Sequence, residues 1–199
     1  MPRLEDEADA DETIRAFIAV ELDPTVRAAV ARVIQALRSA AGGERVRWVR
    51  SENLHMTLRF LGNIASERVS TVVQCVGEAT STLRPFELRL GPVMLFPSPR
   101  RPRVLAMEVG PVGPLTQLAE AVEAAVVRAG LAAEVRGFRP HLTLGRLDLR
   151  AFSTVTAPVT AEGEAVAVEE IVLFRSELTR RGAIHTPLVR IALGGSDHP

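Results

Sequence analysis

The chain has 199 residues, 47% of them hydrophobic and 24% charged, and a formal net charge of zero. This excludes wholesale disorder and fibrous architecture and leaves one domain or two interlocked half-size lobes. No apolar stretch approaches the roughly 18 residues that a membrane helix requires.

Residues 1–12 hold six acids (Glu5, Asp6, Glu7, Asp9, Asp11, Glu12) against Arg3, and read as a disordered, solvated acidic tail. The remainder carries 23 arginines against 18 acids and suits an anionic ligand. No lysine occurs among the 24 basic residues, which excludes lysine-based mechanisms and leaves arginine, the planar bidentate phosphate binder. Residues 13–22 (TIRAFIAVEL) are apolar, β-branched and aromatic, and predict a strand. Asp23 before Pro24 reads as an N-cap with proline at the first helical position. Val26, Ala29, Val30, Val33, Ile34 and Leu37 then recur at helical spacing until Gly42-Gly43. A second helix is expected from near Ser66, with Val69, Val72, Val73, Val76 and Ala79 in one stripe and Cys75 beside it, buried and inert. A third follows Pro114, with Leu115, Leu118, Val122, Val126 and Ala129 before Gly130. Strand character falls on residues 45–49, 55–61, 86–90, 104–109, 141–147, 165–174 and 184–193, so the class is mixed α+β. Phe96-Pro97-Ser98-Pro99-Arg100-Arg101-Pro102-Arg103 cannot pair inside a sheet, because proline lacks the N–H donor, and reads as an arginine-rich surface loop. Residues 194–199 read as a frayed tail. The single cysteine and the acidic start make a cytoplasmic protein the default expectation, and a monomer is the default assembly.

The informative repeat is short. His55-Met56-Thr57-Leu58 and His141-Leu142-Thr143-Leu144 share one pattern, 86 residues apart, in a chain with four histidines. Strand side chains alternate, so His55, Thr57 and Arg59 are expected on one face with Met56, Leu58 and Phe60 toward the core; His141 and Thr143 likewise oppose Leu142 and Leu144. Neighbours on one face lie about 6.6–7 Å apart, room for a tetrahedral anion between two such strands. One imidazole can act as base and its partner as acid near neutral pH, while two hydroxyls donate to non-bridging phosphate oxygens. The quartet suits in-line phosphoryl displacement without a metal; two histidines with no Cys, Asp or Glu at ligand spacing make a poor metal site, and no cofactor is expected.

The paired motifs, with IRAFIAVEL, VRWVRSENLHMTLRFLG, FPSPRRPRVL and FRPHLTLGRL, resemble the two-histidine (2H) phosphoesterase superfamily. Within it they are similar to the bacterial and archaeal RNA 2′,3′-cyclic phosphodiesterases once called 2′-5′ RNA ligases. The resemblance covers about residues 13–193. It implies a bilobal, pseudo-symmetric α+β domain over those residues, with two antiparallel sheets lining a central groove and helices outside. It implies opening of a 2′,3′-cyclic phosphate at an RNA end to a 2′-phosphomonoester, with possible reverse ligation. By that resemblance His55 is the proton donor to the leaving 3′ oxygen, His141 the base that activates water, and Thr57 and Thr143 grip the phosphate. Arg146, five residues after the second histidine, matches a family arginine that contacts phosphate or nucleotide. Parity disagrees in part: it groups Arg59 with His55 as a second candidate substrate contact, but places Arg146 opposite His141 unless the strand ends or bulges near Gly145.

Plainer readings stand beside these. Trp48 and Phe138 could stack on a base, yet core packing is the better explanation of each. His185, in Ile184-His185-Thr186-Pro187, lacks the repeat's spacing and reads as structural. The alternatives for function are a 2H phosphodiesterase acting on a small cyclic nucleotide or an ADP-ribose cyclic phosphate, and a non-catalytic RNA-binding module. Substrate length and salt dependence separate the first from an enzyme of RNA ends; intact copies of both tetrapeptides argue against the second.

Overall fold

The structure is a computed structural model that describes residues 12–39, 46–147, 163–180 and 182–194. The element order is β1 (Thr13–Glu21), α1 (Pro24–Ser39), β2 (Val46–Trp48), β3 (His55–Ala65), α2 (Arg68–Thr80), β4 (Phe86–Phe96), β5 (Val104–Gly110), α3 (Val112–Arg128), β6 (Leu142–Leu147), β7 (Ala165–Val168), β8 (Glu170–Thr179) and β9 (Gly182–Ala192). Two antiparallel sheets result, ordered β3-β1-β8-β9 and β2-β6-β5-β4-β7. Each sheet carries one His-x-Thr segment, the first on β3 and the second at β6, so the α+β class with two antiparallel sheets holds.

Local chemistry explains most elements. Asp23 Oδ1 accepts hydrogen bonds from the Thr25 and Val26 amides at 2.8 and 3.1 Å, capping α1. The buried residues of α1 are Val26, Ala29, Val30, Val33, Ile34 and Leu37, the expected stripe. The expected stop at Gly42-Gly43 lies outside the described residues. α3 begins at Val112 rather than after Pro114, because proline is tolerated in a first helical turn. β4 runs on past Leu90 to Phe96, since Pro92 sits where its register with β5 shifts and a missing N–H costs no ladder bond. The helical stripes and one face of both sheets share a continuous buried core. Phe17, Ala19, Val172 and Phe174 form a separate cluster on the other face of the first sheet.

Three readings need correction. The single strand expected over residues 165–174 is two strands in different sheets: β7 pairs with β4, whereas β8 pairs with β1 and β9. An apolar run reports burial and not partners. Glu12, assigned to the acidic tail, is held in place, its carbonyl accepting from the Ser66 amide at 2.8 Å and its carboxylate 3.5 Å from Arg175. Cys75 is half-buried at the margin of the core rather than fully enclosed. The rest of the acidic tail and residues 195–199 lie outside the described residues. No described helix is long and apolar enough to cross a membrane.

Candidate active site

The β1–β3 ladder decides which side chains surround His55. Phe17 pairs with Phe60, Ile18 with Arg59 and Ala19 with Thr57, so Leu58 is the extra residue of a bulge. A bulged residue reverses parity beyond it. Leu58 and Arg59 both turn inward, Arg59 to 8% exposure, and Phe60 emerges on the His55 and Thr57 side at 53%. The expected grouping of His55, Thr57 and Arg59 with Phe60 in the core is therefore corrected. Arg59 is instead ion-paired with Glu123 of α3 and donates to the carbonyls of Phe60 and Ala132. Its guanidinium is consumed by packing α3 onto β3. A second shift follows at Leu61, where Gly62 at φ 75° supplies the left-handed conformation.

The second motif repeats this device. β6 pairs Thr143 with Ala106 and Gly145 with Leu105, so Leu144 is extra and parity reverses at Gly145. Leu142, Leu144 and Leu147 are buried while Arg146 is exposed on the Thr143 side. The bulge that a role for Arg146 demands is present. At Gly145 a Cβ would lie 2.5 Å from Val46 Cγ1 and 3.2 Å from the Trp48 ring, so only glycine lets β2 pack this closely. His141 itself stands one residue before β6. Measured from their histidines, Phe60 and Arg146 occupy equivalent positions, each five residues on and delivered by one bulge.

The two imidazoles are anchored alike. His55 Nδ1 is 2.8 Å from the Asn53 carbonyl oxygen and His141 Nδ1 is 2.8 Å from that of Arg139. A carbonyl can only accept, so each Nδ1 carries the proton and each neutral ring presents Nε2 as a lone pair. The Thr57 hydroxyl, 3.1 Å from His55 Nε2, donates to it. Burial, reinforced by repulsion from His185, pushes His55 down to about 4 against the backbone bond to Asn53, which favours the cation. Burial also lowers His141, as does the Arg139 charge, again opposed by a backbone bond. β3 and β6 approach within 8 Å between Cα atoms. Among the described residues no three His, Cys, Asp or Glu side chains gather as metal ligands.

The surroundings differ. His55 lies 4.7 Å from Phe17 and 5.2 Å from His185 between ring centroids, and 6.1 Å from Phe174. His141 stacks on Phe96 at 4.0 Å, and the Arg139 guanidinium sits 4.7 Å over that same ring. Trp48 and Phe138 pack partly buried against the core. His185, read from sequence as structural, stands in the site because β9 sets Pro187 against Phe174 and His185 against Ser176 of β8, the strand next to β1. Its Nδ1 is buried without a hydrogen-bond partner. No local sequence signal marks this residue, since its neighbourhood is made by sheet order; Phe60 could have been found by carrying the offset of Arg146 from the second motif to the first.

The model of the LigT-like phosphoesterase family matches residues 20–106 and 109–185. The chain belongs to that family. A Methanothermobacter thermautotrophicus protein named RNA 2′,3′-cyclic phosphodiesterase is 33% identical over 180 residues, covering 88% of this chain and 96% of its own. The Escherichia coli protein of that name is 32% identical over 184 residues, 92% of this chain and 98% of its own. Among solved structures, E. coli LigT in apo form has a TM-score of 0.78 at 29% identity and covers 93% of this chain and 100% of that one. E. coli LigT complexed with 3′-AMP gives 0.77 at 30%, covering 92% and 99%. This member of the family is thus a phosphoesterase.

Proposed function

We propose that this phosphoesterase hydrolyses 2′,3′-cyclic phosphate ends of RNA to 2′-phosphomonoesters without a metal, using His55 and His141 as its proton-transfer pair. The observation that carries the reading is the duplicated histidine geometry: two imidazoles from different sheets, each with Nδ1 fixed to a carbonyl so that Nε2 is the nitrogen left for proton transfer, each followed at two residues by threonine. Water loses its proton to His141 Nε2 and attacks phosphorus; the bond from phosphorus to O3′ breaks, and O3′ takes a proton from His55 Nε2. The Thr57 and Thr143 hydroxyls hold the non-bridging oxygens, with Arg146 beside Thr143. Arg59, committed to Glu123, takes no part.

Burial makes both imidazoles favour the neutral form. The phosphate supplies the opposite charge that restores the cation on His55. Phe60 offers the base an exposed ring on the same face. The relatives' names supply the substrate class, and the mildly basic body fits it. With a 5′-hydroxyl in place of water as the nucleophile, the same displacement of O3′ from the cyclic phosphate leaves a 2′-5′ linkage, the ligation that reverses cleavage of such a bond. Residues 13–193 act in this reading as one bilobal unit, as a cytoplasmic monomer, on the sequence grounds given above.

The test is incubation of a 2′,3′-cyclic-phosphate oligoribonucleotide with the protein in EDTA and identification of the product end. A 2′-phosphate is expected; a 3′-phosphate, or no turnover, removes the reading.

A further inference from the structure

The β2–β6 ladder contains an arrangement the reaction itself does not require. Arg47 and Arg146 are directly opposite each other, with Val46 facing Leu147 and Trp48 facing Gly145. Val46 and Leu147 are buried and both arginines are exposed, so the two arginine side chains leave the ladder at one level, on the face of Thr143. Cβ atoms of directly opposed residues lie about 4.5–5.5 Å apart, and like charges so placed repel. Among the described residues neither arginine meets a carboxylate, whereas Arg27, Arg59, Arg175 and Arg190 around the first sheet each do. The tight seat of Val46 and Trp48 over Gly145 fixes this opposition. β2 is an edge strand, and a charge there can serve to repel other chains. That purpose needs one arginine facing solvent and is not helped by setting a second against it. Two guanidinium groups so opposed, with no carboxylate on either among the described residues, are relieved by an anion bound between and beyond them.

We propose that Arg47 extends the anion site of Arg146 past the reacting phosphate and binds the next phosphodiester of the RNA strand, so that the enzyme prefers an oligonucleotide end to a mononucleotide. This rests on the reading of the site as an RNA-end phosphodiesterase and adds the length of substrate it takes.

The test compares wild type and Arg47→Gln on a tetraribonucleotide ending in a 2′,3′-cyclic phosphate and on adenosine 2′,3′-cyclic phosphate, across a salt series. In Arg47→Gln the tetranucleotide is expected to lose about tenfold more kcat/KM than the mononucleotide, as befits one charge-assisted contact. The slope of log kcat/KM against log salt for the tetranucleotide should flatten by about 0.7, one phosphate contact on a single strand. Arg47→Lys should restore the slope. Equal losses on both substrates, or an unchanged slope, overturn the proposal. Thermal unfolding guards against misfolding, and Arg47→Gln should melt no lower than wild type, because an opposed like charge is removed. If the wild type turns over neither substrate, the phosphodiesterase reading falls first. Equilibrium binding of a tetraribonucleotide ending in a 2′-phosphate, against adenosine 2′-phosphate, then tests Arg47 alone: weaker binding of the longer ligand by Arg47→Gln supports the proposal, and equal binding overturns it.

Discussion

The two His-x-Thr segments share a backbone and differ in company. Each anchors its imidazole through Nδ1 to the carbonyl two residues earlier, each places threonine two residues later, and each bulges at the following leucine. At the fifth residue the first presents Phe60 and the second Arg146. Beside His55 stand Phe17, Phe174 and His185, with Phe60 further along the same face; beside His141 stands Phe96 under Arg139, with Arg146 and, across the ladder, Arg47 further along. One scaffold used twice thus yields an apolar half and a cationic half, which the proposed function assigns to a base and to phosphates. In that proposal what the halves share serves the bond being broken, and what differs serves recognition.

If the shared part is the chemistry, removing either imidazole should be the most damaging change. His55→Ala and His141→Ala are each expected to lower kcat by about 10²–10⁴, the contribution of a positioned acid or base. Comparable activity in either variant breaks the symmetry on which the scheme stands. Thr57→Ala and Thr143→Ala should each cost less, about 1–3 kcal/mol in kcat/KM for a lost charge-assisted hydrogen bond.

Arg59 is where the halves diverge in fold rather than in function. The position after Leu58 is an inward arginine, while the position after Leu144 is Gly145, closed over by Val46 and Trp48. Removing Arg59 strands Glu123 beside the core, so Arg59→Ala should destabilise by about 3 kcal/mol, nearer the low end for a buried pair since Glu123 is partly exposed. That lowers the melting temperature by roughly 10 °C in a chain of this size. Below the transition, kcat and KM should stay close to wild type. A raised KM without loss of stability would return Arg59 to the substrate.

These contrasts mark how far the sequence could be read. The helices were legible because a period of 3.6 depends on local side chains: Asp23, Pro24 and the six-residue stripe foretell α1. The repeated tetrapeptide was legible for the same reason. Bulges were not, since an extra residue is defined only against a partner strand; this put Arg59 on the wrong face and Phe60 in the core. At Gly145 the possibility could be stated, because glycine advertises it. The division of residues 165–174 between two sheets and the arrival of His185 beside His55 depend on sheet order, which no local pattern carries.

The difference at the fifth residue can be sharpened by exchanging the readouts. Phe60→Ala should weaken binding of base-bearing ligands by about 1–3 kcal/mol, the usual worth of one stacked base, with little change in salt dependence. Arg146→Ala should weaken binding of the phosphate by a similar amount and flatten the salt slope. Equal salt responses in the two variants would mean that the halves are not specialised as described.

The smallest expected effect concerns the third histidine. His185 lies on β9, edge-on to Phe17 at 4.8 Å, and Phe17 in turn packs against His55. Burial lowers His185, and repulsion between the two rings is the second cause, after burial, that holds His55 near 4. In the free enzyme both site imidazoles therefore titrate below their ordinary value, so kcat/KM should peak on the acid side of about 6.5. A bound phosphate favours both cations, and kcat should peak at higher pH than kcat/KM. His185→Gln removes one repelling charge and keeps a polar side chain in its place. His55 then protonates more readily, its pKa rises, and the limb of kcat/KM set by His55 moves to higher pH while the limb set by His141 stays where it was. A shift of both limbs together, or of neither, would show that His185 acts on the fold and not on its neighbouring ring.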